Sequence, residues 1–284
     1  MKLQATCMKF FAFLNDSDIP YCHWKSNEHL DAALAGKTDL DILIEGSAKE
    51  AFVSATRKFG FVRFAPAPYL RYRSIEDFIG IDEEDGTLIH LHAHFALVVG
   101  KKFVKNYRLP WEAEIFRDRI LFAGTPVYTV SPEIELLSLV VRRAAKDALS
   151  PSRLWRKHAF SADERRELAW LKQRCDGDLL AAKAAVFFPP EIAEAVVEAL
   201  MSGGQRLPLR AFSLIRKRFL PGITASASIF DREPLSSVKY FTRKAHAAVT
   251  FIAYKKWSFP VPYRRSLEGG GVVIAFLGAD GAGK

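Results

Sequence analysis

The sequence has few cysteines and no long hydrophobic run. The three cysteines stand at positions 7, 22 and 175. Since that number is odd and no two have a paired spacing, neither a disulfide framework nor a zinc knuckle is predicted. No run of about 18 apolar residues occurs, so no membrane-spanning helix is predicted. The N-terminus lacks an uninterrupted apolar region and a small-residue cleavage site, so we interpret it as an amphipathic first helix. These absences favour a cytoplasmic protein.

Acidic residues are also scarce in one long stretch of the chain. Residues 205–265 contain 13 lysines and arginines but only two acidic residues, Asp231 and Glu233. The net charge of this stretch is therefore +11, which exceeds the +9 of the whole chain. The positive charge is concentrated in one segment, which we call the basic connector (205–268), and the remainder is close to neutral.

The composition that remains is that of a globular protein, with 49% apolar and 26% charged residues. We predict an α+β fold for residues 1–150, a helical extension over 151–204, the basic connector, and a last segment at 269–284. Ser47, with Glu50 three residues later, predicts the capped start of a helix. Glu84, Asp85 and Gly86 predict a turn between two strands.

The segment DLDILIE alternates polar and apolar residues and predicts a strand. Asp39 and Asp41, two residues apart, stand side by side on its wetter face. Two adjacent carboxylates repel each other unless a cation lies between them, and their oxygens suit Mg²⁺ carrying a triphosphate. Ser26, thirteen residues earlier, and Lys37 are candidate phosphate contacts. The alternative is a polar strand edge that marks a turn.

His90, His92 and His94 alternate with apolar residues, which predicts that they share one face of a strand. One interpretation is a transition-metal or proton-transfer cluster. The other is a polar strand face under the aspartates, with the imidazoles hydrogen-bonded to carboxylates. We favour the second, because the outer two Cα atoms of such a strand are about 13 Å apart and one zinc ion cannot bind all three side chains.

The arrangement of Ser26, Asp39 and Asp41 resembles the nucleotidyltransferase fold of the DNA polymerase β type over about residues 15–150. The resemblance implies a small mixed sheet with flanking helices, and a transferase that uses Mg²⁺ with ATP or another nucleoside triphosphate. The acceptor is an unidentified small molecule or glycan-related compound. Two positions depart from the family pattern. Lys25 stands where a glycine is usual, and His90 stands at the strand position of the third metal ligand.

The basic connector alternates cationic with apolar and aromatic residues. Its simplest interpretation is a pair of surface helices with solvated basic faces. The next is peripheral contact with anionic lipid, at the inner membrane, through residues 205–265. Nucleic acid ranks last, because the segment contains no groove-reading motif.

The chain closes on GVVIAFLGADGAGK, an apolar strand followed by a G-x-x-x-x-G-K loop. Gly278, Gly283 and Lys284 occupy the fixed positions of a phosphate-binding P-loop. This stretch resembles the start of a thymidylate-kinase-like domain, which implies ATP binding. We therefore expect the sequence to be the N-terminal part of a longer two-domain bacterial transferase, and expect no kinase activity from these residues alone.

Three hypotheses about function follow. The first is a transferase whose metal ligands and catalytic residues are Asp39 and Asp41. The second is a non-catalytic module that binds a nucleotide or substrate for the attached kinase. The third is an interaction domain held near the membrane by the basic connector.

Overall fold

The computed structural model describes residues 2–146, 160–202, 209–226, 228–232 and 235–268. The helices are α1 Ala5–Asp16, α2 Leu30–Leu34, α3 Lys49–Lys58, α4 Glu112–Arg117, α5 Pro132–Lys146, α6 Ala162–Lys172, α7 Gly177–Phe187, α8 Pro190–Met201, α9 Leu209–Leu214 and α10 Leu235–Trp257. The strands are β1 Tyr21–His23, β2 Leu40–Ile44, β3 Val62–Ala65, β4 Ile75–Ile81, β5 Leu88–His94, β6 Val98–Val99, β7 Tyr107–Arg108, β8 Ile120–Leu121, β9 Tyr128–Thr129 and β10 Ser266–Leu267. The protein is mixed α/β with a mixed sheet.

Eight strands form the main sheet in the order β10-β3-β4-β5-β2-β1-β9-β8. The β2–β5 and β1–β9 pairs are parallel, and the other pairs are antiparallel. The parallel β2–β5 pair needs a long crossover, which α3, β3 and β4 supply. The predicted turn between β4 and β5 is confirmed, and Gly86 adopts the positive φ of 74° that favours glycine there.

One face of the sheet is apolar and packs against α1 and α3. On β2, Leu40, Ile42 and Ile44 are fully buried on this face. They meet Phe10 of α1 and Phe52 of α3, whose rings contact edge-to-face at 5.9 Å. The alternation in DLDILIE thus predicted the dry side of the strand correctly.

The opposite face turns toward a helical layer built from α5 to α9. Leu43 of β2 and Cys22 of β1 belong to the same core as this layer. Trp111 stacks on Phe187 at 4.3 Å within it. Since Leu43 shares its side of the strand with Asp41, the polar side chains of β2 lie at the margin of this second core.

The predicted cap at Ser47 is wrong. A 3₁₀ turn covers Gly46–Ala48, and α3 begins at Lys49 without a side-chain cap. A capping box does occur at α6, where Ser161 and Glu164 hydrogen-bond each other's backbone N–H groups.

The basic connector contributes α9, α10 and β10. Its end joins the sheet, because β10 pairs with β3. The long helix α10 leaves many large apolar side chains exposed, among them Phe241, Val249 and Trp257. In the described part of the chain, no helix has both the length and the apolar character that crossing a bilayer requires.

Candidate active site on the polar face of the sheet

Three adjacent strands, β2, β5 and β4, bring the candidate residues together on the face turned toward the helical layer. Asp41 of β2 is paired in register with His92 of β5, and His92 is paired with Asp77 of β4. His90 and His94 flank His92 along the same side of β5. We call these residues, with Asp39, the polar face: Asp39, Asp41, Asp77, His90, His92 and His94.

His90 bridges two carboxylates. Its Nδ1 lies 2.7 Å from Asp39 Oδ1, and its Nε2 lies 3.0 Å from Asp77 Oδ1. Because an ionised carboxylate can only accept, both ring nitrogens must donate and the imidazole is charged. Burial alone would lower the pKa of His90, but the two hydrogen bonds outweigh it and raise the pKa to about 9.

Asp77 is the central acceptor of the polar face and is almost fully buried. It accepts from His92 Nδ1 at 2.7 Å as well as from His90, and Arg265 lies 3.5 Å away. Burial would raise its pKa, yet the hydrogen bonds from the two imidazoles hold the pKa well below the usual aspartate range. The sequence analysis did not identify Asp77.

Asp41 forms an ion pair with Lys25, whose Nζ lies 2.8 Å from Oδ1. Burial would raise the pKa of Asp41, but Lys25 and the neighbouring imidazoles hold it well below the ordinary value. Lys25 therefore places an ammonium group directly on the second aspartate.

His94 lies deepest and has no exposed surface. Its ring contacts His92 and Trp24 edge-to-face, at 4.7 and 5.1 Å between centroids. Neither ring nitrogen has a hydrogen-bond partner among the described residues, and the nearest Asp41 oxygen is 3.7 Å from Nε2. Burial lowers the pKa of His94 to about 3, so the ring is neutral.

The imidazole–carboxylate interpretation of the histidine strand is thus confirmed for His90 and His92, while His94 is unpartnered. Asp39 is the accessible member of the aspartate pair, with 60% of its side chain exposed. The His90 hydrogen bond lowers the pKa of Asp39.

The turn at Ser26 is held by carboxylates from the helical layer. Ser26 has a left-handed backbone with φ of 59°, and its N–H donates to Glu167 at 3.3 Å. The N–H of Asn27 donates to Glu135 at 3.0 Å, and Arg142 pairs with Glu167. Burial, reinforced by Glu167, raises the pKa of Glu135 to about 8. The N–H groups of Ser26 and Asn27 therefore already have partners, which leaves the Ser26 hydroxyl as the group of Ser26 that could contact a phosphate.

Of the other predicted phosphate contacts, Lys37 is the one within the described residues. Lys37 is exposed, and in the described ranges its ammonium group makes no ion pair. Gly278, Gly283 and Lys284 lie outside the described residues.

Lys105 lines a basic cavity. Lys105 interacts electrostatically with Lys25 and Asp41, and burial lowers its pKa to about 7. The cavity has a volume of about 210 Å³, and its charged lining residues are Arg71, Arg73, Lys105, Asp231, Lys239 and Arg243. Five of these six side chains are basic, which favours an anionic ligand. The sequence pattern near Lys105 did not indicate that this lysine lines a basic cavity.

The donor atoms of the polar face fit Mg²⁺ poorly. Within the polar face, two groups of three residues have one donor atom each within 4.8 Å of one another: Asp41 with His92 and His94, and Asp77 with His90 and His92. Each group contains two imidazoles and one carboxylate, whereas Mg²⁺ prefers oxygen ligands. Lys25 and His90 also supply the positive charge that the aspartates were expected to obtain from the ion.

Comparison of the chain with protein-family models, with curated proteins and with solved structures finds no match.

Proposed function

We propose that the α+β part of the chain is a nucleotidyltransferase-like domain that binds a nucleoside triphosphate beside its polar face. The observation that carries this proposal is the placement of Asp39 and Asp41 on β2, next to the parallel strand β5. The basic cavity supports it, because Lys105 lines that cavity and interacts electrostatically with Asp41. In this proposal the two carboxylates lie beside the α-phosphate, where the reaction takes place. The basic side chains of the cavity bind the other phosphates.

The reaction in this proposal is a transfer of the nucleotidyl group. An acceptor hydroxyl attacks the α-phosphorus and gives its proton to water, the bond from the α-phosphorus to the bridging oxygen breaks, and pyrophosphate leaves. Positioning of the two substrates supplies most of the rate in such a reaction. No step is assigned to Mg²⁺, because the donor set fits that ion poorly. The G-x-x-x-x-G-K pattern with Gly278, Gly283 and Lys284 belongs to the same proposal, as an ATP-binding loop of the thymidylate-kinase-like type.

A second candidate is a non-catalytic binding module, and one observation favours it. Asp41 is neutralised by Lys25 and Asp39 by His90, so both carboxylates are stable without a metal ion. A site whose positive charges come from its own side chains, here Lys25 and His90, can bind a ligand without catalysing a reaction. In this case the module would present a nucleotide or small molecule to the attached kinase.

Calorimetric titration with ATP and with CTP tests nucleotide binding. We expect the double variant Asp39→Asn/Asp41→Asn to change the affinity, while Asp16→Asn, an exposed residue at the end of α1, leaves it unchanged. Equal binding by the wild type and the double variant would remove the aspartates from the site. Release of pyrophosphate in the presence of an acceptor panel separates the two candidates, since the module binds nucleotide but releases none.

For the basic connector we propose peripheral contact with anionic lipid. The exposed apolar side chains of α10 stand beside Lys255 and Lys256, a combination typical of interfacial helices.

A further inference from the structure

We propose that Asp41, His92 and His94 bind a divalent transition-metal ion, namely Zn²⁺ or an ion of similar ligand preference. One donor atom of each residue lies within 4.8 Å of the other two. Two imidazoles and one carboxylate form a ligand set that transition metals accept and that leaves positions open for water or substrate. The inference does not depend on nucleotide binding.

The first argument is the state of His94. It is fully buried, and within the described ranges both of its ring nitrogens lack a hydrogen-bond partner. A buried polar group without a partner is destabilising and rare in folded proteins. A metal ion bound to one nitrogen gives this side chain the partner that the surrounding protein does not supply.

The second argument is the orientation of His92. Its Nδ1 donates to Asp77 at 2.7 Å, so the lone pair of the ring is on Nε2. Histidine ligands of metal ions commonly donate their other N–H group to a carboxylate, which fixes the ring and increases its basicity. Asp77 therefore serves as the positioning partner of His92, and Nε2 remains for the ion.

The alternative triad of Asp77, His90 and His92 does not fit a metal ion. His90 donates from both ring nitrogens to carboxylates and has no lone pair left. Asp77 accepts from two imidazoles at once. This group is a closed hydrogen-bond network, so the metal site is assigned to the deeper triad.

Lys25 competes with the ion for Asp41. Its Nζ lies 2.8 Å from the Oδ1 atom that faces His94. The lysine side chain is 22% exposed and long, so it can move to solvent when an ion binds. Metal binding through Oδ1 of Asp41 therefore competes with the Lys25–Asp41 ion pair.

The test is a titration of the chelator-stripped chain with Zn²⁺ against a chromophoric competitor, without nucleotide. We expect one equivalent to bind, and Co²⁺ to give a visible absorption spectrum. His92→Ala and Asp41→Asn should each weaken Zn²⁺ binding by at least about 100-fold, because each removes a direct ligand, and loss of a partner that only orients a ligand already costs about 10- to 100-fold. His246→Ala, an exposed histidine on α10, should bind like the wild type.

His90→Gln distinguishes the two triads, since we expect it to retain binding within about tenfold of the wild type. Circular dichroism shows which variants are folded. If His92→Ala does not fold, the Zn²⁺ affinity of Asp41→Asn alone tests the proposal. Absence of a bound equivalent, or a loss in His90→Gln equal to that in Asp41→Asn, would overturn the proposal. Because no nucleotide is present, failure of the nucleotide proposal leaves this result unaffected.

Discussion

Replacing His90 by glutamine removes the one charged group that joins Asp39 to Asp77. In the folded protein the pKa of His90 is about 9, because its two hydrogen bonds to carboxylates outweigh burial, and an unperturbed histidine has a pKa of about 6.5. The bridge therefore stabilises the fold fully below about pH 6.5, and this contribution is lost as the pH rises through about 9. Glutamine cannot be protonated in this pH range, so the stability of His90→Gln lacks the contribution that depends on the charge of His90.

The size of the effect follows from the two pKa values. A difference between about 9 and about 6.5 corresponds to about 3.4 kcal/mol, at about 1.36 kcal/mol per pH unit. That figure is an upper limit, because the Asp39 side chain is 60% exposed and solvent screens its interaction. We therefore expect about 2 kcal/mol.

Urea unfolding at about pH 6 and about pH 9.5 measures the contribution. The wild type should lose about 2 kcal/mol more unfolding free energy between these two pH values than His90→Gln does. Glu135 and Lys105 also titrate in this range, but they are present in both proteins and their effects cancel in the difference. If the unfolding free energies of the wild type and of His90→Gln fell by the same amount between the two pH values, His90 would not form a charged bridge.

Three further predictions concern other parts of the fold. Gly36→Ala should lower the unfolding free energy by about 2 kcal/mol more than Gly60→Ala, by thermal or urea unfolding. Both glycines have φ above 70°, but a Cβ at position 36 would lie 2.4 Å from a threonine methyl group and one at 60 meets nothing within 4 Å. Equal losses would contradict this. Lys25→Met should tighten Zn²⁺ binding about tenfold, because it removes the competing ammonium; weaker binding would count against the competition. Trp257→Ser should reduce flotation with anionic vesicles, whereas Val186→Ser on α7, similarly exposed, should not. If the two behaved alike, α10 would not be the membrane contact.

The sequence was sufficient to predict the strands of the polar face and their alternation. The dry side of β2 and the turn at Gly86 were both predicted correctly. Asp77 was missed, although a hairpin centred on that turn places it opposite His92. The register contained this information, but the strand position of the third ligand was assigned to His90. The cap at Ser47 failed because a 3₁₀ turn precedes α3 there.

Other features depend on contacts between segments far apart in the chain. Ser26 was predicted as a phosphate contact from its position in a loop. Its N–H is held by Glu167 of α6, 141 residues away, and the next N–H is held by Glu135 of α5. A pattern of neighbouring residues contains no information about such partners. The same holds for Lys105, whose perturbed pKa arises from burial among side chains remote in sequence.

Lys25 explains why the aspartate pair does not need the magnesium ion that the sequence predicts. Two carboxylates side by side on a strand need positive charge, and the sequence suggested that an ion would supply it. In the structure the protein supplies that charge itself, through Lys25 on Asp41 and through the imidazolium of His90 on Asp39. A glycine at position 25 would leave Asp41 open to an external cation. The lysine instead makes access to Asp41 conditional on displacing an ammonium group, which an ion with affinity for His92 and His94 can do better than one that binds oxygen alone. Lys25 is thus the group that a metal ion bound to Oδ1 of Asp41 would have to displace.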